Sequence, residues 1–234
     1  MDAREDTVGD YEDEGARGWS FRDRKDAGQQ LARALSEYRG QEALVLGIPR
    51  GGVPVAYEIA CSLDAELDVI VARKIGAPGQ EEFGIGAITA DGSLVINEGM
   101  RAYVHISEPE LEQRTQEQSA EAQRREHRFR VGLPALSPAG RLVIVVDDGL
   151  ATGATLRAAV RSLKRRGAER LVVAVPVGAP EACTSIAREV DRLICLQQPE
   201  PFCAVGRHYR EFDQTSDEEV QQLLRQRREA RKRS

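Results

Sequence analysis

The sequence is short of the residues that most directly mark chemistry. Its 234 residues contain four cysteines, three histidines and one tryptophan, and aromatic residues make up 5%. Cys61, Cys183, Cys195 and Cys203 form no CxxC pair and no zinc-like spacing, which argues against a cysteine-built metal centre or a dithiol motif. They are expected as reduced thiols in a cytoplasmic protein. No apolar run approaches the ~20 residues of a membrane span. The N-terminus is acidic, unlike the basic and apolar build of a secretory leader. No GxGxxG follows an apolar run, which excludes the dinucleotide fingerprint. No Gly-Lys-Ser/Thr follows a glycine loop, which excludes a Walker A site. There is no internal repeat.

What is present is a globular composition with charge gathered at the two ends. Apolar residues make up 41% and charged residues 30%, with a net charge of −5. At about 150 residues per domain, the length fits one or two domains. Residues 1–14 carry seven acids against one arginine, and residues 225–234 carry six basic residues against one glutamate. Between the ends the chain is close to neutral, which argues against a nucleic-acid-binding core. The head, residues 1–17, has too little apolar surface to fold and is expected to be disordered. Residues 18–215 are expected to form the domain, and 216–234 a basic C-terminal helix or tail.

Between the tails, periodicity predicts strands that alternate with helices. "EALVLGI", "ELDVIVA", "LVIVV", "RLVVAVPV" and "DRLICLQ" are unbroken apolar runs of strand length. "FRDRKDAGQQLARALSEY", "GGVPVAYEIACSL", "ATLRAAVRSLKRRG" and "PEACTSIAREV" have helical spacing, with Pro54 tolerable in a first turn and Gly167 closing its helix. Buried strands alternating with helices predict an α/β fold: an open, mostly parallel twisted sheet with helices on both faces. "GAITADGSLVI" predicts a hairpin turning at Asp91-Gly92. "RKIGAPGQEEFGIG" is glycine-rich and polar, and is expected to be a mobile loop. "SEPELEQRTQEQSAEAQRREHRFR" predicts a helix opened by a Ser107/Glu110 capping box. Its faces are nearly all polar, so it projects from the core, covers a site or pairs with a partner. A homo-oligomer is left open.

In such sheets, ligands bind outside the carboxyl ends of the strands. That rule brings "PRGG", "RK" and "DDGLATGAT" to one mouth. The last of these carries most information. Leu150–Thr155 is a loop of small residues that feeds a helix, and its N–H groups and the helix dipole form an anion site. Thr152 and Thr155 add hydroxyls, and Gly153 allows close approach. Asp147 and Asp148 are adjacent acids, which repel unless something shares their charge. A sugar diol or a divalent cation would do so. The motif therefore asks for a ligand with a phosphate, a neighbouring diol and Mg²⁺.

"VIVVDDGLATGAT" resembles the phosphoribosyl-pyrophosphate (PRPP) motif of type I phosphoribosyltransferases. "GIPRGG" is similar to the family's pyrophosphate loop, and the glycine-rich stretch after Arg73-Lys74 is similar to its lid. The resemblance covers about Phe21 to Phe212 and extends to stand-alone or fused members whose acceptor is undefined. It implies that Asp147 and Asp148 hold the ribose hydroxyls and, mainly through PRPP, Mg²⁺. It implies that Ala151, Thr152, Gly153, Ala154 and Thr155 cradle the 5′-phosphate. Arg50 and Gly51 would meet the pyrophosphate, and the peptide bond between them is often cis in the family. Lys74 would approach the pyrophosphate, helped by Arg73. Lys74, Arg50, Asp147 and Asp148 are the residues implied in catalysis.

The resemblance also marks a departure. Purine-salvage members carry a further acid three or four residues beyond the acid pair, where this chain has Leu150 and Ala151. The acceptor would be read by a C-terminal hood, "PEPFCAVGRHYREF", with Phe202, His208 and Tyr209 as candidates. The first functional reading is a Mg²⁺-dependent phosphoribosyltransferase that moves ribose 5-phosphate from PRPP to a nitrogenous base or related acceptor and releases pyrophosphate. The second is a PRPP-sensing regulator without turnover, suggested by the basic terminal helix.

Overall fold

The computed structural model describes residues 20–233, the side chains at 81 and 82 excepted, so the acidic head at 1–17 lies outside the described residues. Helix α1 (Arg24–Ala34) is capped by Asp23, whose carboxylate accepts the Asp26 N–H at 2.7 Å. Ala27 and Leu31 lie one turn apart and are buried. Strand β1 (Leu44–Gly47) is buried throughout. Helix α2 (Gly52–Leu63) and strand β2 (Glu66–Val69) follow. Then come strands β3 (Ala72–Ala77), β4 (Gln80–Thr89) and β5 (Leu94–Ile96), a short helix α3 (Glu98–Val104) and the long α4 (Glu108–Arg130). Strand β6 (Leu142–Val146), helix α5 (Ala154–Arg165), strand β7 (Arg170–Val177), helix α6 (Pro180–Ala187) and strand β8 (Arg192–Gln197) resume the alternation. Helix α7 (Asp217–Lys232), capped by Ser216, comes last.

Five strands form a parallel sheet in the order β2-β1-β6-β7-β8. Both faces are covered, as the apolar runs require. Along β6 the side chains alternate. Leu142, Ile144 and Val146 join one core with α1, α2 and α7, and Val143 and Val145 join another with α5 and α6. The chain winds outward from β1 to β2, then returns to β6 and winds the other way. The topological switch therefore falls between β1 and β6, with the crevice at their carboxyl ends.

The stretch expected to be a mobile loop is instead most of an antiparallel hairpin. β3 pairs with β4, and β4 with β5. Gly79 turns the first hairpin with φ 69°, and Gly92 the second with φ 79°. Glycine and polar residues concealed the strands because their apolar side is sparse. Ile75, Ile85 and Ile88 bury against Ile106 and Leu111, which lie further along the chain.

The polar helix α4 is fixed by charge. Asp68 at the end of β2 is 2% exposed, and its Oδ1 accepts from Arg130 Nε at 2.9 Å, with Arg130 12% exposed. Asp68 also accepts the Leu136 N–H at 2.9 Å, and Arg130 reaches Glu126 at 2.9 Å and the Val69 carbonyl at 3.0 Å. Ser107 caps the helix by accepting the Glu110 N–H at 3.4 Å, as the sequence motif predicts. The basic helix α7 packs into the body. Val220 and Leu224 are core, while buried Arg227 donates to the Ala65 carbonyl at 2.8 Å and to Asp64 at 2.6 Å. The positive charge at this end of the chain is thus partly spent inside the fold.

Replacing Arg130 with Met leaves a buried carboxylate short of its main partner. Arg130→Met is expected to cost about 3 kcal/mol and lower Tm by ~6–12 °C. Urea unfolding followed by circular dichroism checks this.

Candidate functional site

The loops after β1 and β6 cross at the switch point with almost no space between them. The Ile48 N–H donates to the Val146 carbonyl at 2.9 Å. A Cβ at Gly52 would sit 2.6 Å from the Val146 carbonyl oxygen and 2.9 Å from Asp147 Cα. A Cβ at Gly51 would run into Asp148 Oδ2. Both glycines of "PRGG" are therefore required by close approach. The cis peptide of this loop joins Pro49 to Arg50, one bond before the position that the resemblance implied.

Asp147 and Asp148 sit half-buried at the end of β6. The Asp148 N–H donates to Asp147 Oδ1 at 2.9 Å. Arg24, from the first turn of α1, donates through Nε to Asp148 Oδ2 at 2.8 Å, the two side chains being 13% and 17% exposed. Burial, and after it the charge of Asp148, holds the Asp147 carboxyl well above its ordinary value of 3.8. Burial also raises the Asp148 carboxyl, with Arg24 pulling the other way. Sequence reasoning missed Arg24. An arginine in the first turn of a helix carries no local sign that it reaches an acid 124 residues away.

Beyond the acids, Leu150 turns into the core at 1% exposure, and its N–H donates to the Val177 carbonyl at 2.9 Å. Ala151 and Thr152 are exposed. Gly153 has φ 78°, a conformation that favours glycine, and starts α5 without a side-chain cap. The first N–H groups of α5 have no intrahelical acceptor and point out at this end. Residues 151–155 therefore lie where the N–H groups at the start of α5 gather.

The hairpin delivers the cations. β3 carries Arg73 and Lys74 beside Pro49 and Thr155, around a cavity of about 340 Å³. Arg73 Nε donates to Gln118 Oε1 of α4 at 3.1 Å, and Lys74 is exposed. The hairpin also leans on α5 through Ala72, Ala87 and Val95 against Ala154 and Ala158. Arg50 is not among the residues lining this cavity and pairs with Asp217 of α7 at 3.4 Å.

The hood closes the opposite side. Phe21 and Tyr209 bridge, and Arg210 and Glu211 donate their N–H groups to the carbonyls of Phe21 and Arg22. Tyr209 is buried at 2%, with its hydroxyl donating to the Asp148 carbonyl at 2.7 Å. It therefore sits beneath the acid loop rather than at its mouth. Burial and then the Asp148 charge push its phenol upward. Phe202 and His208 stack at 5.8 Å, and burial lowers the His208 imidazole. Arg24 lies 3.9 Å over the Phe212 ring and donates to the Asp213 carbonyl at 2.6 Å, tying the hood to the acid pair.

The sheet order and this mouth define an α/β protein with the type I phosphoribosyltransferase fold. The phosphoribosyl transferase domain family matches residues 22–203, and the chain belongs to that family. A Mycobacterium tuberculosis H37Rv protein provisionally named a phosphoribosyl transferase is 46% identical over 204 residues, covering 87% of this chain and 46% of that protein. The chain thus spans about half the length of the curated relatives it matches. A Nocardioides uracil phosphoribosyltransferase is 44% identical over 54 residues, 23% of this chain and 25% of that protein. The crystal structure of TT1426 from Thermus thermophilus superposes with a TM-score of 0.75 at 41% identity, covering 87% of this chain and 97% of that one.

The raised carboxyls fix a sign for pH. The folded value lies above the unfolded one, so between the two the folded chain binds the proton more tightly. Stability of the ligand-free protein is therefore expected to fall as pH rises from 3.8 through the raised value, then level off. Asp147→Asn should flatten that slope and raise Tm at pH 7 by ~2–4 °C, about 1 kcal/mol. Arg24→Ala should do the reverse, costing about 2 kcal/mol by leaving Asp148 without its partner. Calorimetric scans across pH check both.

Proposed function

We propose that the chain transfers ribose 5-phosphate from PRPP to a nitrogenous base, releasing pyrophosphate. The observation that carries this reading is the placement, at one switch-point crevice, of an acid pair, an anion-accepting helix start and the cations of β3. Each suits one part of PRPP: Asp147 and Asp148 the ribose hydroxyls, residues 151–155 the 5′-phosphate, and Arg73, Lys74 and the loop of Arg50 and Gly51 the pyrophosphate.

The donor set also fits Mg²⁺. Arg24 pairs with Asp148 and not with its neighbour Asp147, which leaves a carboxylate for a cation. Among the described residues no group of three or more His, Cys, Asp and Glu could hold a metal, so the substrate would supply most of the ligands. Mg²⁺ offsets charge on the pyrophosphate when bound. As the C1–oxygen bond of the ribose breaks, negative charge grows on the leaving group. Lys74 and Arg73 stabilise that charge more in the transition state than in the ground state, which is what catalysis requires. The acids keep the ribose in line, and the hairpin and hood exclude water from the oxocarbenium-like sugar.

The acceptor is read without a carboxylate from the acid loop, since Leu150 is core and Ala151 has no polar group. Phe202 and His208 of the hood are left to face the base.

PRPP with Mg²⁺ is expected to raise Tm, by about 2.7 kcal/mol of stabilisation at 100 times its dissociation constant, and EDTA should remove most of the gain. Asp147→Asn combined with Asp148→Asn should weaken PRPP binding by about 100-fold or more, since two charge-assisted bonds of ~1.5–3 kcal/mol each are lost. Pyrophosphate release with a panel of purine and pyrimidine bases tests turnover. Binding without release from any base would favour the PRPP-sensing reading. No thermal shift at millimolar PRPP would defeat both.

A further inference from the structure

The polar helix α4 has no part in the function proposed so far, yet the face it turns inward is charged. Arg114, Gln118 and Arg125 recur at i, i+4 and i+11, within about 40° of one another around the helix. Phe129 extends the same stripe and is buried at 2%, anchoring that face to the core. A helix that only needed solubility would carry its arginines outward. Here Arg114 and Arg125 line the 340 Å³ cavity together with Arg73, Lys74, Pro49 and Thr155. Glu117 is the acid among its lining residues, so four cations face one carboxylate.

The partners these arginines have come from their own helix. Arg114 reaches Glu110 Oε1 at 3.3 and 3.4 Å, and Arg125 reaches Glu121 Oε1 at 2.8 Å. These are i,i+4 pairs at 26% and 43% arginine exposure, of a kind contributing about 0.3–0.5 kcal/mol. Each guanidinium has five N–H donors, so a single carboxylate oxygen leaves donors over. Gln118 meanwhile holds the Arg73 guanidinium on the same stripe.

We propose that α4 is an anion-binding wall in the leaving-group half of the site, with Arg114 and Arg125 binding a pyrophosphate group alongside Arg73 and Lys74. This rests on the reading of the crevice as a PRPP site. Gln118 is a positioning residue that aims Arg73. Leu111 near one end of the helix and Phe129 with the Asp68–Arg130 pair at the other hold the stretch that carries both arginines.

Two probes separate this proposal from its parent. Mg²⁺–pyrophosphate should touch the cavity, whereas ribose 5-phosphate should touch the acid pair and residues 151–155, meeting the cavity only at Thr155 and neither Arg114 nor Arg125. Calorimetric titration of the full chain is expected to show pyrophosphate affinity falling about tenfold in Arg114→Gln and in Arg125→Gln, and about 100-fold in the double variant. Ribose 5-phosphate affinity should stay within twofold in all of them. Unchanged pyrophosphate affinity in the double variant would overturn the proposal. So would parallel loss of both probes, which would mean that the arginines only hold the fold. If the wild-type chain bound neither PRPP nor ribose 5-phosphate, the parent reading would fall. The wall would then be judged on pyrophosphate alone, sustained by loss in the double variant and refuted by its retention.

Discussion

The architecture turns on how closely two loops cross at the end of the sheet. Between Gly51-Gly52 and Asp147-Asp148 there is no room for a methyl group. That approach pushes two carboxylates into a half-buried position, where water solvates them poorly. A counter-charge becomes necessary, and Arg24 supplies it for one acid of the two. Arg24 is then held by Phe212 and the Asp213 carbonyl, so the hood is bound to the same point. A steric fact about two glycines thus propagates into charge, and charge into the placement of a distant segment.

The crevice divides by sign. One side holds the acid pair and the hood, the other holds the cations of β3 with the inward face of α4, and the start of α5 lies between them. The division follows the chain's wiring. Acids come from the end of a sheet strand, and cations from the hairpin, which packs on α5, and from α4, whose Ala122 and Phe129 join the main core. The acids are thereby set on the sheet itself, while the cations stand on elements packed beside it.

Much of this was readable beforehand, and the reasons are local. "LVIVV" and "RLVVAVPV" can only be buried strands, and "DDGLATGAT" has a composition that few βα turns share. Ser107 and Asp91-Gly92 announce a cap and a turn by residue type alone. What escaped reading depends on partners far along the chain. β3 and β4 look like a loop because their apolar contacts are Ile106 and Leu111. The role of Arg24 depends on an acid that only the fold brings near. The basic end helix looks like a solvated tail because the acceptors of Arg227, the Ala65 carbonyl and Asp64, lie more than 160 residues earlier.

The clasp between Arg24 and Asp213 joins positions 189 residues apart. Contacts of such span form late, because nearly the whole chain must be arranged before loop closure is rewarded. The acid pair and the start of α5 rest on β1, β6, β7 and α6, all of which precede the hood in the chain. As the chain leaves the ribosome, a crevice without its hood is therefore expected to precede the finished one. The order of synthesis would then set the order in which the two sides of the crevice are framed.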